Sequence, residues 1–181
     1  IIDQVEYIID GLSFNPLNGR FQIMFMSMGE PFLNYEETKK ALKRLYALFP
    51  DAELLISTVG ISDFSKWKDF INYSAWNPEI GLQFSVHRSN DFERDKIIPF
   101  ENKLNLREIR DLGIEWHKAT GRPVFLNYFI EPGMNNTEMD AMKLKDLFSP
   151  VAFNFTFSVV CETNKEQSNE VDYYEIHNFQ R

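Results

Sequence analysis

Five short apolar runs, each followed by a stretch of helical spacing, constrain this chain more than any other feature. The runs are Phe21–Met28, Glu53–Val59, Ile80–His87, Pro123–Ile130 and Val151–Cys161, all rich in Ile, Val, Leu and Phe. Between them lie predicted helices at Tyr35–Phe49, from Ser62-Asp63 to just before Asn77-Pro78, at Leu104–Thr120 (closed by Gly121), and from Thr137 to about Phe148. An amphipathic stretch, Ile1–Leu12, precedes the pattern and "NEVDYYEIHNFQR" suggests a last helix. Strands that are apolar along their whole length are covered on both faces, and a helix between two such strands makes a right-handed crossover into a parallel sheet. The chain is therefore expected to be an α/β protein, either doubly wound or an incomplete (β/α) barrel of about five parallel strands with outer helices. Its 181 residues, 44% apolar, suit one domain with a real core.

Charge and cysteine content narrow the function classes. A net charge of −8 argues against a protein whose main task is gripping phosphate backbones, which calls for a clustered positive face. One cysteine, Cys161, rules out an internal disulfide and any metal or cluster site built from cysteines of this chain alone. No apolar run approaches the roughly 20 residues needed to span a bilayer, so no membrane partner and a cytoplasmic location are expected.

In a parallel α/β sheet, ligands bind where the strands end, so the residues just past each strand carry the functional information. Here they are polar: Gly29-Glu30-Pro31, Ser57–Gly60, Ser85–Asp91, Glu131–Asn136 and Ser158–Asn164. Glu30, Ser57, Ser85, His87, Asn135 and Asn164 are expected to converge on one cleft. Hydroxyls, carbonyls and a carboxylate in that number suit a small zwitterionic or cationic ligand with ribose hydroxyls. The chain has no Gly-rich phosphate loop for a dinucleotide or a nucleoside triphosphate.

The segments "MSMGEPFLNYEET", "ISTVGI", "LQFSVHRSNDFERDKIIPFENK" and "TGRPVFLNYFIEPGMNN" resemble, in order and at similar spacing, the core of the radical S-adenosylmethionine enzymes that methylate C2 of adenine in ribosomal and transfer RNA. The resemblance covers roughly residues 21 to 136. It implies a partial (β/α)6 barrel with S-adenosyl-L-methionine lying across the strand ends. Gly29 and Glu30 would bind the methionine amino group, Ser57 and Ser85 would contact the ligand's polar groups, and Val86 and His87 would flank it. The family holds a [4Fe–4S] cluster on three cysteines spaced CxxxCxxC after its first barrel strand, and uses two further cysteines for methyl transfer; this sequence has none of these. The resemblance therefore implies a fragment that lacks the first strand and the cluster loop, whose cluster ligands lie outside the chain, and which is inactive alone. The family's cofactor-contacting Asn after the fifth strand finds its nearest equivalent in a displaced Asn164. The parent would act on RNA or be a related Fe–S oxidoreductase; a glycyl-radical activase, which shares the GEP turn, and a non-catalytic half-barrel module stand as alternatives.

Several of these residues also have plain structural readings. Ser62 reads as a helix N-cap, "NDFERDK" as a solvated loop from which Arg94 or Lys96 could touch RNA phosphate, and Thr137–Asp140 as a capping box. Asn135 reads as a residue tolerating left-handed backbone, His87 equally as a satisfied strand-end histidine, and Cys161 as a small buried hydrophobe. With no strand before Phe21–Met28, that edge is expected to carry unpaired backbone groups and to favour dimerisation.

Overall fold

A computed structural model describes residues 1–12, 19–26, 28–159 and 173–180. Five parallel strands form one sheet: β1 (Gln22–Phe25), β2 (Glu53–Thr58), β3 (Ile80–Ser85), β4 (Val124–Ile130) and β5 (Phe153–Val159). Among the described residues, seven helices accompany them: α1 (Ile2–Asp10), α2 (Tyr35–Leu48), α3 (Phe64–Ala75), α4 (Asp91–Ile97), α5 (Leu106–Thr120), α6 (Glu138–Leu147) and α7 (Tyr173–Gln180). The strands stand side by side in chain order, β1-β2-β3-β4-β5. A doubly wound sheet reverses direction partway along; this one does not, so the architecture is the incomplete (β/α) barrel.

The strand register separates two unlike faces, because successive side chains in a strand point to opposite sides. Ile23 pairs with Leu54, Leu54 with Ile80, Ile56 with Leu82, Phe84 with Leu126 and Val124 with Phe153, so these residues share one face. All of them are buried in the core with Leu42 and Leu45 of α2, Trp67 and Phe70 of α3, Ile109 and Trp116 of α5, and Leu144 of α6. That is the outer, helix-covered face. The other face presents Ser57, Gln83, Ser85, Asn127, Asn154, Thr156 and Ser158 in matching register, interspersed with Met24, Leu55, Phe125 and Phe129. Its polarity is the departure from a fully apolar strand that the sequence pattern obscured.

Where helix and sheet approach closely, glycine is used for its lack of a side chain. A Cβ on Gly113 of α5 would stand 2.5 Å from the Phe153 ring of β5. Helix ends follow local chemistry. Asn105 and Glu108 form a capping box on α5, Thr137 and Asp140 one on α6 as the sequence suggests, and Gly121 ends α5 at φ 72°.

Four expectations need correction. Residues 91–97 form a helix rather than a solvated loop, because Asn90 caps it by accepting from the Glu93 N–H. The N-cap of α3 is Asp63, which accepts from the Lys66 N–H, and not Ser62. The strand expected at residues 21–28 pairs only from Gln22 to Phe25, since the chain must leave the sheet to make the turn at Gly29. The third strand stops at Ser85 because the next two amides, Val86 and His87, both bend to the Asn127 carbonyl.

Candidate functional site

The turn after β1 answers what a lone carboxylate does between a glycine and a proline. Gly29 has φ 81°, with nothing within 4 Å of the place a Cβ would take, so conformation and not crowding demands glycine there. Three residues on, Phe32 is buried and stacks on Trp67 at a ring distance of 3.8 Å and on Tyr35 at 5.5 Å. That anchor holds Glu30 over the end of β2. Its Oε1 accepts from the Thr58 hydroxyl at 2.6 Å and the Phe32 N–H at 3.1 Å, and its Oε2 accepts from the Val59 N–H at 2.9 Å. The Thr58 hydroxyl accepts in turn from the Gly60 N–H at 2.9 Å. An ionised carboxylate offers about four acceptor directions, so a further donor can still reach this one.

Ser57 and Ser85 lie on the inner face at the carboxyl ends of β2 and β3, one register step apart: Ser57 pairs with Gln83, and Ser85 with Asn127. Between them Gln83 is buried, and its Oε1 has no hydrogen-bond partner among the described residues. A buried polar atom left unsatisfied costs about 1–3 kcal/mol and calls for an explanation. Asn127 continues the polar row, with its Oδ1 accepting from the Ser158 hydroxyl at 3.1 Å.

Beyond β3 the backbone is strained. His87 has φ 59° and is the sole non-glycine with positive φ among the described residues. Its Nδ1 accepts from the Phe129 N–H at 3.3 Å and its ring lies 4.6 Å from the Phe129 ring on the inner face. Burial, with Arg94 and Arg88 nearby, lowers its pKa to about 4, so the ring is neutral at pH 7 and carries its proton on Nε2. Arg88 bonds the His87 carbonyl at 2.8 Å and pairs with Glu131 at 2.5 Å. Asn135 donates to the His87 carbonyl at 2.9 Å and the Phe129 carbonyl at 2.7 Å, and accepts from the Glu131 N–H at 2.8 Å.

Arg94 closes the floor of this rim. Fully buried, it donates to the Val59 carbonyl at 2.7 Å, to Ser85 at 3.0 and 3.2 Å, and to Leu104 at 2.7 Å. Burial pushes its pKa down to about 10, which leaves it charged at neutral pH. A cation spent on three backbone carbonyls inside the fold is not free to meet RNA phosphate, which corrects that expectation for Arg94. Asn135 is likewise no left-handed residue: Gly133 takes the positive φ, at 74°, and Asn135 is buried.

The fold thus brings Gly29, Glu30, Ser57, Ser85 and His87 to the same end of the sheet. Val86 is at that end too, but its side chain belongs to the core and its N–H is taken by Asn127, which leaves a ligand little to touch. Asn164 and Cys161 lie outside the described residues. Sequence reasoning missed Gln83, Thr58 and Arg88, and missed the internal role of Arg94. Gln83 is hidden in an apolar run, and the other three bond to partners 28 to 43 residues away along the chain.

No protein-family model matches the chain. It is 33% identical over 129 residues to the "Probable dual-specificity RNA methyltransferase RlmN" of Thermotoga petrophila, covering 69% of this chain and 36% of that protein. The protein of the same name from Chlorobium phaeobacteroides is 30% identical over 177 residues, covering 94% of this chain and 45% of that protein. The chain therefore spans less than half the length of these curated relatives. Its fold matches a radical SAM methyltransferase from Sphaerobacter thermophilus with a TM-score of 0.65 at 23% identity, over 88% of this chain and 46% of that one. By sequence the chain is a relative of the RlmN-type RNA methyltransferases, and by fold it shares the α/β core of a radical S-adenosylmethionine methyltransferase.

Proposed function

We propose that this chain is the S-adenosyl-L-methionine-binding part of a radical S-adenosylmethionine enzyme whose parent methylates adenine in RNA. The observation that carries the reading is the shared rim: Glu30, Ser57, Ser85 and His87 stand at one end of the sheet, beside a polar inner face. The donor set fits the ligand. The remaining acceptor capacity of Glu30 would take the methionine ammonium, and the exposed backbone of Gly29 leaves room for it. Ser57 and Ser85 would hold the ligand's polar groups, the orphaned amide of Gln83 lies behind them, and Asn164 would complete the set as the resemblance implies. A neutral His87 adds no positive charge beside a sulfonium, so it can donate from Nε2 without repulsion.

The cluster is a different matter. One cysteine does not hold a [4Fe–4S] cluster, so the residues of this chain do not fit that group and its thiolates would come from outside the chain. With a net charge of −8, RNA contact would also rest on other parts of the parent.

Isothermal titration of the 181-residue chain with S-adenosylmethionine and with S-adenosylhomocysteine tests the reading. Saturable binding that weakens about tenfold in Ser57→Ala and in Ser85→Val supports it, given the worth of a buried hydrogen bond. Absence of binding to either ligand sinks it.

A further inference from the structure

We propose that Asn135 is a positioning residue, which clamps the strained His87 so that the strand-end rim offers a fixed, uncharged Nε2–H donor. The inference rests on the ligand reading above and goes one step past it, from which residues line the rim to what orients one of them.

Asn135 sits in the β4–α6 turn, and two of its side-chain bonds belong to that turn: Nδ2 to the Phe129 carbonyl and Oδ1 from the Glu131 N–H. The third does not. Its second Nδ2 hydrogen goes to the His87 carbonyl at 2.9 Å, 48 residues away along the chain, in the loop of a different strand. A turn has no need of that bond, whereas a non-glycine held at φ 59° needs its surroundings to over-determine it. The same carbonyl also accepts from Arg88 at 2.8 Å. With the backbone clamped, the imidazole is set against Phe129, and the Phe129 N–H on Nδ1 selects the tautomer with the proton on Nε2. Asn135 is itself held from behind, since its own carbonyl accepts from the Tyr128 hydroxyl at 2.7 Å. The result is a chain of hydrogen bonds that fixes both the place and the protonation of one side chain.

The charged groups around His87 agree with a neutral ring. Arg88 follows it, Arg94 reaches up from α4, Glu131 past β4 is engaged by Arg88, and Asp140 of α6 is bonded to Ser89. The two cations oppose protonation of the ring, and the nearby carboxylates are already taken.

The test uses the 181-residue chain with ¹⁵N-labelled histidine, His87 being assigned by its loss in His87→Gln. Long-range ¹H–¹⁵N spectra across pH report tautomer and titration, and titration with S-adenosylhomocysteine reports affinity. We expect a neutral Nε2–H ring at pH 7 in the parent sequence. In Asn135→Ser, whose short, uncharged side chain no longer reaches the His87 carbonyl, we expect mixed tautomers, a His87 midpoint raised by about one unit or more, and about tenfold weaker binding. Asn135→Asp is the second variant: it keeps the acceptor for Glu131 and loses both donors, and since its added charge raises the midpoint by itself, it is read by tautomer and affinity alone. A merely structural Asn135 would lower thermal stability and leave tautomer, midpoint and affinity unmoved, and that result overturns the proposal. If the parent sequence binds neither S-adenosyl compound, the ligand reading fails, and the tautomer and midpoint alone decide whether Asn135 positions His87.

Discussion

At the scale of single residues, two buried cationic or imidazole side chains set the rim, and both can be tested by stability. Arg94 supplies donors to three carbonyls that have left the β2 and β3 ladders or begin α5. In Arg94→Leu those three acceptors are stranded, and at about 1 kcal/mol for each stranded carbonyl the chain should lose about 3 kcal/mol. Arg94→Lys, with a compact ammonium in place of a fork, should recover only part of it. Denaturant midpoints of the two variants check both. His87 makes stability depend on pH. Its pKa is about 4 in the fold against an ordinary 6.5, so the unfolded chain binds a proton that the folded one refuses. Its contribution is fully present above pH 6.5 and is lost as the pH falls through 4, at most on the order of 3 kcal/mol. Between pH 6.5 and 4, His87→Gln should show a shallower fall in unfolding free energy than the parent, shallower by up to one proton; equal slopes would contradict the burial of a neutral ring. Glu30 stands apart, because a strand-end carboxylate in a turn was visible at once in "GEPF", while its partners Thr58 and Val59 were not.

Among the elements, helix α5 shows how packing overrides propensity. An alanine in a helix interior is ordinarily better than glycine by about 1 kcal/mol. At Gly113 the added Cβ would meet the Phe153 ring at 2.5 and 2.7 Å, and a ring packed against β5 cannot retreat cheaply. Gly113→Ala should therefore destabilise by about 1–3 kcal/mol in thermal or chemical unfolding, and a stabilised variant would mean that helix and sheet stand further apart than described. The existence of the strands and most helices was legible from periodicity, as were the caps at Gly121 and Thr137–Asp140. Helix α4 was not. Its seven residues carry a mixed charge run; Asn90 caps it locally, but what gives it a buried face is the set of carbonyls waiting for Arg94, which no local pattern announces.

For the whole molecule, the monotonic order of strands leaves β1 at one edge, and no described strand pairs with its outer side. Beside it Met24 and Met26 are 40% and 43% exposed, and Ile8 of α1 is 61% exposed. Unpaired strand edges flanked by apolar side chains seek partners, so the chain should associate as its concentration rises. Light scattering on a sizing column would show this, and Met24→Lys should suppress it; a chain that stays monomeric throughout would refute the expectation. The pattern of runs and turns in the sequence was enough for the α/β class, the parallel sheet and the polar strand ends, because hydrophobic periodicity and turn chemistry act over a few residues. It left open whether the sheet was doubly wound or barrel-like, which face of each strand was polar, and which strand-end groups were free for a ligand and which were spent inside the fold. Those answers depend on strand order, register and hydrogen bonds between residues dozens of positions apart. Only the folded backbone brings such residues together, so only the tertiary structure could decide them.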